Sequence, residues 1–144
     1  MSTESTANAT QVGGAHYKVA IEHWDFVANR GLGYFEGQVT KYVTRWRKKN
    51  GVQDLQKARH FLSKLIELRH AGLEPWTSPH PNTRTLPLIS LDDYALANDL
   101  RPKERGVVAL VSEWRGAVSM LDAALTMIDE LMAEGVGAKV YADG

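Results

Sequence analysis

With 144 residues and no cysteine, the chain has single-domain length and offers neither disulfides nor thiolate metal ligands. No run approaches the roughly 20 apolar residues needed to cross a bilayer, and Met1 to Thr10 lack the apolar centre of an export signal, so a cytoplasmic location is expected. The net charge of zero conceals an asymmetry: Met1 to Gly72 carry 11 Lys+Arg against 6 Asp+Glu, whereas Leu73 to Gly144 carry 6 against 11. The basic half is the candidate for phosphate-bearing ligands, and the acidic half has little reason to approach nucleic acid.

Residues 1–12, rich in Ser, Thr, Asn and Ala, predict a disordered N-terminus. Gly13-Gly14 opens the ordered part. Ile21, Trp24, Val27 and Ala28 recur at helical spacing, and Gly31 follows as a stop. A second helix is expected from about Tyr34 to Lys49, with Phe35, Val39, Tyr42, Val43 and Trp46 on its apolar face. Asn50-Gly51 breaks the pattern. A third helix presents Val52, Leu55, Ala58, Leu62, Leu65 and Ile66 and ends near Ala71-Gly72. Residues 13–72 therefore read as a small helical bundle, the nucleotide-binding module. Pro75, Pro79, Pro81 and Pro87 make 73–89 a Pro-rich linker. Ser90, followed by Asp92 and Asp93, caps a short helix to about Asp99.

Beyond Pro102 the apolar pattern is regular. Val107, Val111, Trp114, Val118, Leu121, Leu125, Ile128 and Met132 alternate in steps of four and three, with Leu110, Ala117, Ala124 and Leu131 beside them. A helix from Pro102 to Glu134, stopped by Gly135 and Gly137, would be roughly 50 Å long. Gly116 lies outside the stripe and weakens it only slightly. The stripe has two readings, packing on the first three helices or self-association, and its length favours the second. The expected fold is all-α: a small N-terminal helical bundle, a Pro-rich linker, and a long coiled-coil-like helix within a C-terminal oligomerisation region at 90–144. That helix would make the chain a homo-oligomer through 102–134.

The chemistry concentrates in Lys41 to Lys49, where five basic residues stand with no acidic one. Lys41, Arg45 and Lys48 or Lys49 share a helical stripe, and their mutual repulsion would be relieved by a polyanion. Tyr42 and Trp46 fall on the opposite, apolar face and read as core. A second stripe holds Lys57, His60 and Lys64, and an antiparallel hairpin about Asn50-Gly51 would bring both stripes to one groove. On the loop before the first helix, His16 could bond a phosphate or move a proton, and Tyr17 could stack on a base. The phosphate-loop motif is missing, Gly31-x-Gly33 has the wrong context for a dinucleotide fingerprint, and no clustered ligands suggest a metal site. Glu36, Asp54 and Glu67 stand apart, unlike the close carboxylates of all-helical nucleoside triphosphate pyrophosphatases.

The motifs from His16 to Leu68 are His16-Tyr17, Ile21-Glu22-His23-Trp24-Asp25-Phe26, Gly37-Gln38-Val39-Thr40-Lys41-Tyr42, Lys48-Lys49-Asn50-Gly51, Asp54-Leu55-Gln56-Lys57-Ala58 and Leu65-Ile66-Glu67. In these the chain resembles the SaV-like family of small tailed-phage proteins, departing from its pattern at Gln38 and Trp46. Most members have no assigned activity, and one branch looks like a nucleotide kinase acting on deoxynucleoside monophosphates. The resemblance implies His16, Tyr17, Lys41, Arg45, Lys48, Lys49 and Lys57 as nucleotide contacts, with His16 and Asp54 as catalytic candidates. A nucleoside triphosphate is the expected phosphate donor, and cationic side chains make magnesium unnecessary for binding. Two alternatives stay open. One is non-catalytic sequestration of nucleotides or of nucleotide-derived host defence signals, an anti-defence role. The other is a nucleic-acid-binding module, which zero net charge makes the less favoured. The localisation expected of a phage-encoded chain is the host cytoplasm.

Overall fold

In a computed structural model, residues 20–72 and 87–143 are described, with side chains up to Gly135. The described residues form six α-helices and one 3-10 turn, so the chain is all-α. Helix α1 (His23–Arg30) ends on Gly31, whose φ of 65° is the left-handed turn that glycine adopts without steric cost. Helix α2 (Tyr34–Arg45) runs into the 3-10 turn Trp46–Lys48. Gly51, again at positive φ, redirects the chain into α3 (Val52–His70). Ser90 Oγ accepts the Asp93 N–H at 3.0 Å and starts α4 (Leu91–Ala97). Helix α5 (Pro102–Glu113) opens with proline at a position that needs no N–H, and α6 (Val118–Asp143) follows.

Two helical hairpins pack face to face. In the first, α2 and α3 run antiparallel, joined near the turn by Arg45–Asp54 and further away by the Tyr34 and Phe61 rings. In the second, α5 and α6 are antiparallel, with Lys103 at the start of α5 paired to Glu130 and Glu134 late in α6. Helix α5 lies on α2 through two indole–carboxylate bonds, Trp46 Nε1 to Glu104 at 2.6 Å and Trp114 Nε1 to Glu36 at 2.9 Å. Helix α6 lies on α3 through Arg59–Asp129. One core results, built from Val39, Val43, Leu55 and Leu62 of the first hairpin and Val107, Val111, Trp114, Leu121 and Ile128 of the second. Helices α1 and α4 close one side, their Phe26 and Tyr94 rings stacked at 4.1 Å.

The C-terminal half differs from the expected long helix. The apolar stripe is present, but the chain reverses at Trp114 to Ala117, where Arg115 and Gly116 take φ of 43° and 82°. A hairpin keeps a stripe continuous because both arms turn the same face to one core. Val107, Val111, Trp114, Leu121 and Ile128 are all buried within a single chain. A single long coiled-coil-like helix over 102–134 is thereby replaced by a hairpin, and the described residues of the two halves share one core.

Nor does Gly135 stop α6, which continues to Asp143. A Cβ at Gly135 would lie 2.8 Å from Trp46 Cζ3 and 2.9 Å from Val52 Cγ2, so this glycine is where α6 crosses the α2–α3 turn at closest approach. Of the Pro-rich segment 73–89, residues 73–86 lie outside the described residues, as does the N-terminus 1–12. Its end, Pro87 to Ile89, is pinned to α1. Asn29 donates to the Pro87 carbonyl at 2.9 Å and accepts the Ile89 N–H at 2.7 Å, while Arg30 donates twice to the Ile89 carbonyl. Among the described residues no helix is long and apolar enough to cross a membrane.

Leu121 is wholly enclosed by its own chain, so Leu121→Asp is expected to unfold the protein, not to dissociate it. An unpaired carboxylate in that core should cost at least about 4 kcal/mol, read by urea denaturation, while the wild type elutes as a monomer by light scattering. A wild-type oligomer that Leu121→Asp converts to a folded monomer would restore the interchain reading.

Candidate functional site

The outer face of the α2–α3 hairpin gathers three cations around one aromatic ring. Lys41 Nζ lies 4.6 Å, the Arg45 guanidinium carbon 5.0 Å and Lys57 Nζ 5.4 Å from the centre of the Tyr42 ring. Lys41 and Arg45 are one turn apart on α2, and the antiparallel partner delivers Lys57 from α3. Each contact with the ring contributes about 0.5–1 kcal/mol. All three charges lie within 5.4 Å of one point, so their mutual repulsion acts over distances comparable with the physiological Debye length of about 8 Å.

One carboxylate opposes them. Asp54 is fully buried and accepts from Arg45 Nε at 3.2 Å and Nη2 at 3.5 Å. Its oxygens also accept the Asn50 backbone N–H and side-chain amide, both at 3.3 Å. Burial pushes the Asp54 carboxyl upward, but the Arg45 and Asn50 donors prevail and hold it below the ordinary carboxylate value. Both oxygens are engaged and out of solvent, so Asp54 is placed to orient Arg45 and tie down the turn, not to act as a catalytic base. Among the described residues neither Lys41 nor Lys57 forms an ion pair.

Beside the cluster lies an open cavity of about 340 Å³. Lys41, Thr44 and Arg45 of α2 form one wall, Glu22 and His23 at the start of α1 another, and Asn98 after α4 a third. Its frame is hydrogen bonded. Thr44 pairs with the Tyr94 hydroxyl at 2.9 Å, and burial pushes that hydroxyl up to about 12. Asn98 uses its amide hydrogens on the Ile21 and Tyr94 carbonyls, which holds its side chain in place at the cavity wall.

His23 Nε2 lies 2.7 Å from Thr40 Oγ1. The same hydroxyl lies 2.9 Å from the Glu36 carbonyl, so Thr40 ties the imidazole to the backbone of α2. Burial first, and the nearby Lys41 charge second, push the His23 pKa down to about 4. The imidazole is therefore neutral across the physiological range.

The expected site residues divide. Lys41, Arg45 and Lys57 converge as the hairpin argument anticipated. Lys48 lies outside the cluster, 3.6 Å from Asp99, and Lys49 is exposed beyond the end of α2. His60 and Lys64 are exposed, with Lys64 paired to Glu67. His16 and Tyr17 lie outside the described residues. Trp46 is buried as expected, and Tyr42 is partly buried against the core while its ring also forms the centre of the basic face. His23, Thr44 and Asn98 escaped the reading of the sequence. His23 had a signal, standing one helical turn or less from two other polar residues before a helix, but nothing in the chain marks Asn98 as a neighbour of Lys41. Among the described residues no group of His, Asp and Glu is arranged to hold a metal ion.

Residues 12–63 match the profile of a family described as a protein of unknown function, DUF3310. The matched stretch contains His23, Lys41, Tyr42, Arg45, Asp54 and Lys57 and excludes Asn98. No curated protein and no solved structure matches the chain.

His23 supplies a pH test of this geometry. Its folded pKa is depressed, so below 6.5 the unfolded chain takes up a proton that the folded chain refuses until about 4. Stability should therefore fall as pH drops from 6.5 towards 4, and His23→Gln should flatten that part of the profile. Urea denaturation across this range measures both, and identical slopes would show that His23 is not held as described.

Proposed function

We propose that the chain binds the phosphate of a nucleotide where Lys41, Arg45 and Lys57 converge, the rest of the ligand entering the adjoining cavity. The observation that carries this reading is the charge cluster itself: three cations around Tyr42, two of them with no ion-pair partner among the described residues. Such clustering is costly in the free protein, and an anionic ligand reverses the cost. Two lysines and a guanidinium already oriented by Asp54 give point charges and a forked donor to phosphate oxygens. The cavity is of small-ligand size and brings Thr44, the neutral His23 ring, Asn98 and, at its edge, Glu22 to the ligand.

The most specific form of this reading is phosphoryl transfer, from a nucleoside triphosphate to a deoxynucleoside monophosphate, as the likeness to SaV-like phage proteins suggests. Transfer demands mainly position and positive charge around the moving group, and the cluster supplies both. Asp54 is engaged, so any base acting on the acceptor has to be another group. His23 is neutral and bordered by the cavity, and His16 lies outside the described residues. Sequestration without turnover is the second reading, favoured by that same engagement of Asp54. It covers free nucleotides and a nucleotide-derived defence signal in a phage-infected host.

Lys41→Ala and Lys57→Ala should each weaken nucleotide binding by about 1.5–3 kcal/mol, the worth of a charge-assisted contact. Both side chains are at the surface, so the fold should survive. Calorimetric titration of nucleoside mono- and triphosphates, with and without chelator, reads the affinity, and product analysis of the same mixtures separates transfer from sequestration. Binding should persist in chelator, and unchanged affinity in a folded double variant would remove the site.

A further inference from the structure

Among the described residues that line the cavity beside the cations, Glu22 is the only acidic one. It stands exposed at the N-cap of α1, yet its side chain makes no capping hydrogen bond. Among the described residues it has no ion pair either, although Lys41 and Arg45 line the same cavity. Its main chain is held on both sides. The Ile21 carbonyl accepts from Asn98 at 3.2 Å, and the His23 ring is bonded to Thr40 at 2.7 Å. The Glu22 carbonyl itself accepts the Asp25 and Phe26 N–H groups at 3.1 and 3.2 Å. Position 22 is therefore fixed at the cavity while its carboxylate is left uncommitted.

A carboxylate on the wall of an anion site works against it, because it repels the phosphate that Lys41 and Arg45 attract. What it can offer a ligand is acceptance of hydrogen bonds and nothing else. The size of the cavity decides which part of a nucleotide can supply the donor. A sphere of 340 Å³ is about 9 Å across. That span takes a phosphate and its sugar, but not the far edge of the base as well. With the phosphate at the cations, the group within reach of another wall is a hydroxyl of the sugar.

Resting on the nucleotide reading above, we propose that Glu22 reads the sugar, accepting a hydrogen bond from the free 3′-hydroxyl of a nucleoside 5′-phosphate held at Lys41 and Arg45. On a deoxyribose that hydroxyl is the only one present. The ligand class is then the free mononucleotide. A nucleotide whose 3′ oxygen is esterified, in a strand or a cyclic phosphate, lacks the donor and brings further negative charge to Glu22, so it is turned away on both counts.

The test titrates the intact protein with the deoxynucleoside 5′-monophosphates of all four bases, then with the 3′-deoxy and 3′-phosphorylated forms of the tightest. Glu22 is exposed and caps nothing through its side chain, so Glu22→Ala and Glu22→Gln should both fold. The wild type should bind the 3′-deoxy form at least about tenfold more weakly than the monophosphate, the worth of a hydrogen bond to a charged acceptor, and the 3′-phosphorylated form more weakly still. In Glu22→Ala the monophosphate should lose about tenfold, the 3′-deoxy form nothing, and the 3′-phosphorylated form should gain. Glu22→Gln, neutral but still an acceptor, should keep part of the preference for the hydroxyl. If Glu22→Ala tightens all three ligands, Glu22 only repels, and if it weakens all three alike, its role is structural; either result overturns the proposal. If the wild type binds the monophosphate and its 3′-deoxy form equally, the sugar inference fails and the phosphate site stands. If no nucleotide binds the wild type, both readings fall together.

Discussion

Everything in this fold depends on a buried carboxylate, Glu104, near the start of α5. It accepts the Trp46 indole at 2.6 Å, the Arg47 guanidinium at 2.7 and 2.9 Å and the Arg101 backbone N–H at 2.8 Å. A carboxylate taken out of water costs several kcal/mol unless it is matched in charge and hydrogen bonds, and Glu104 is matched in both. The bonds come from two directions, the end of α2 and the beginning of α5, so the same group that caps one helix fixes the other against it. At the opposite end of the α2–α5 contact, Glu36 accepts from the Trp114 indole and has no ion-pair partner among the described residues, and burial raises its pKa. The two ties hold α2 at both ends, which fixes the direction in which Lys41, Tyr42 and Arg45 face.

Much of the helical pattern was legible because it is local. Gly31, Asn50-Gly51 and the Ser90 cap act through their own backbone geometry and a neighbour three residues on. The reversal at Trp114 to Ala117 was not legible, because Val111, Trp114 and Val118 keep helical spacing straight through it and a hairpin and a long helix share one apolar rhythm. What decides between them is whether a second surface is present to cover both arms, a property of the whole chain. Gly135 misled for a related reason. Glycine ends helices, but it also admits a neighbouring ring, and only the position of Trp46 distinguishes the two.

The site was legible in its charges and illegible in its partners. Lys41, Arg45 and Lys57 followed from periodicity and one assumed hairpin. Tyr42 packs on the core as its position on the apolar face foretold, but it stands at the edge of that face beside Phe61, where its ring also meets the three cations. The charge asymmetry between the halves also has a different meaning in the folded chain. Arg30 with Glu113, Arg47 with Glu104, Lys48 with Asp99 and Arg59 with Asp129 all join a basic residue of the first half to an acidic one of the second. Part of the asymmetry is thus a device by which the halves recognise each other, and Lys41 and Lys57 beside Tyr42 take no part in it.

The closest approach of α6 to the α2–α3 turn sets an order on the birth of the protein. Trp46 and Val52 are covered by Gly135, more than eighty residues later in the chain. A ribosome releases the N-terminal hairpin first, so that hairpin must wait with its apolar side unclosed until nearly all of the polypeptide has emerged. Local helices can form early, and α5 can tie down α2, but the cover over Trp46 and Val52 arrives last. A premature stop between Lys57 and Gly135 would leave the basic residues present and part of their scaffold missing.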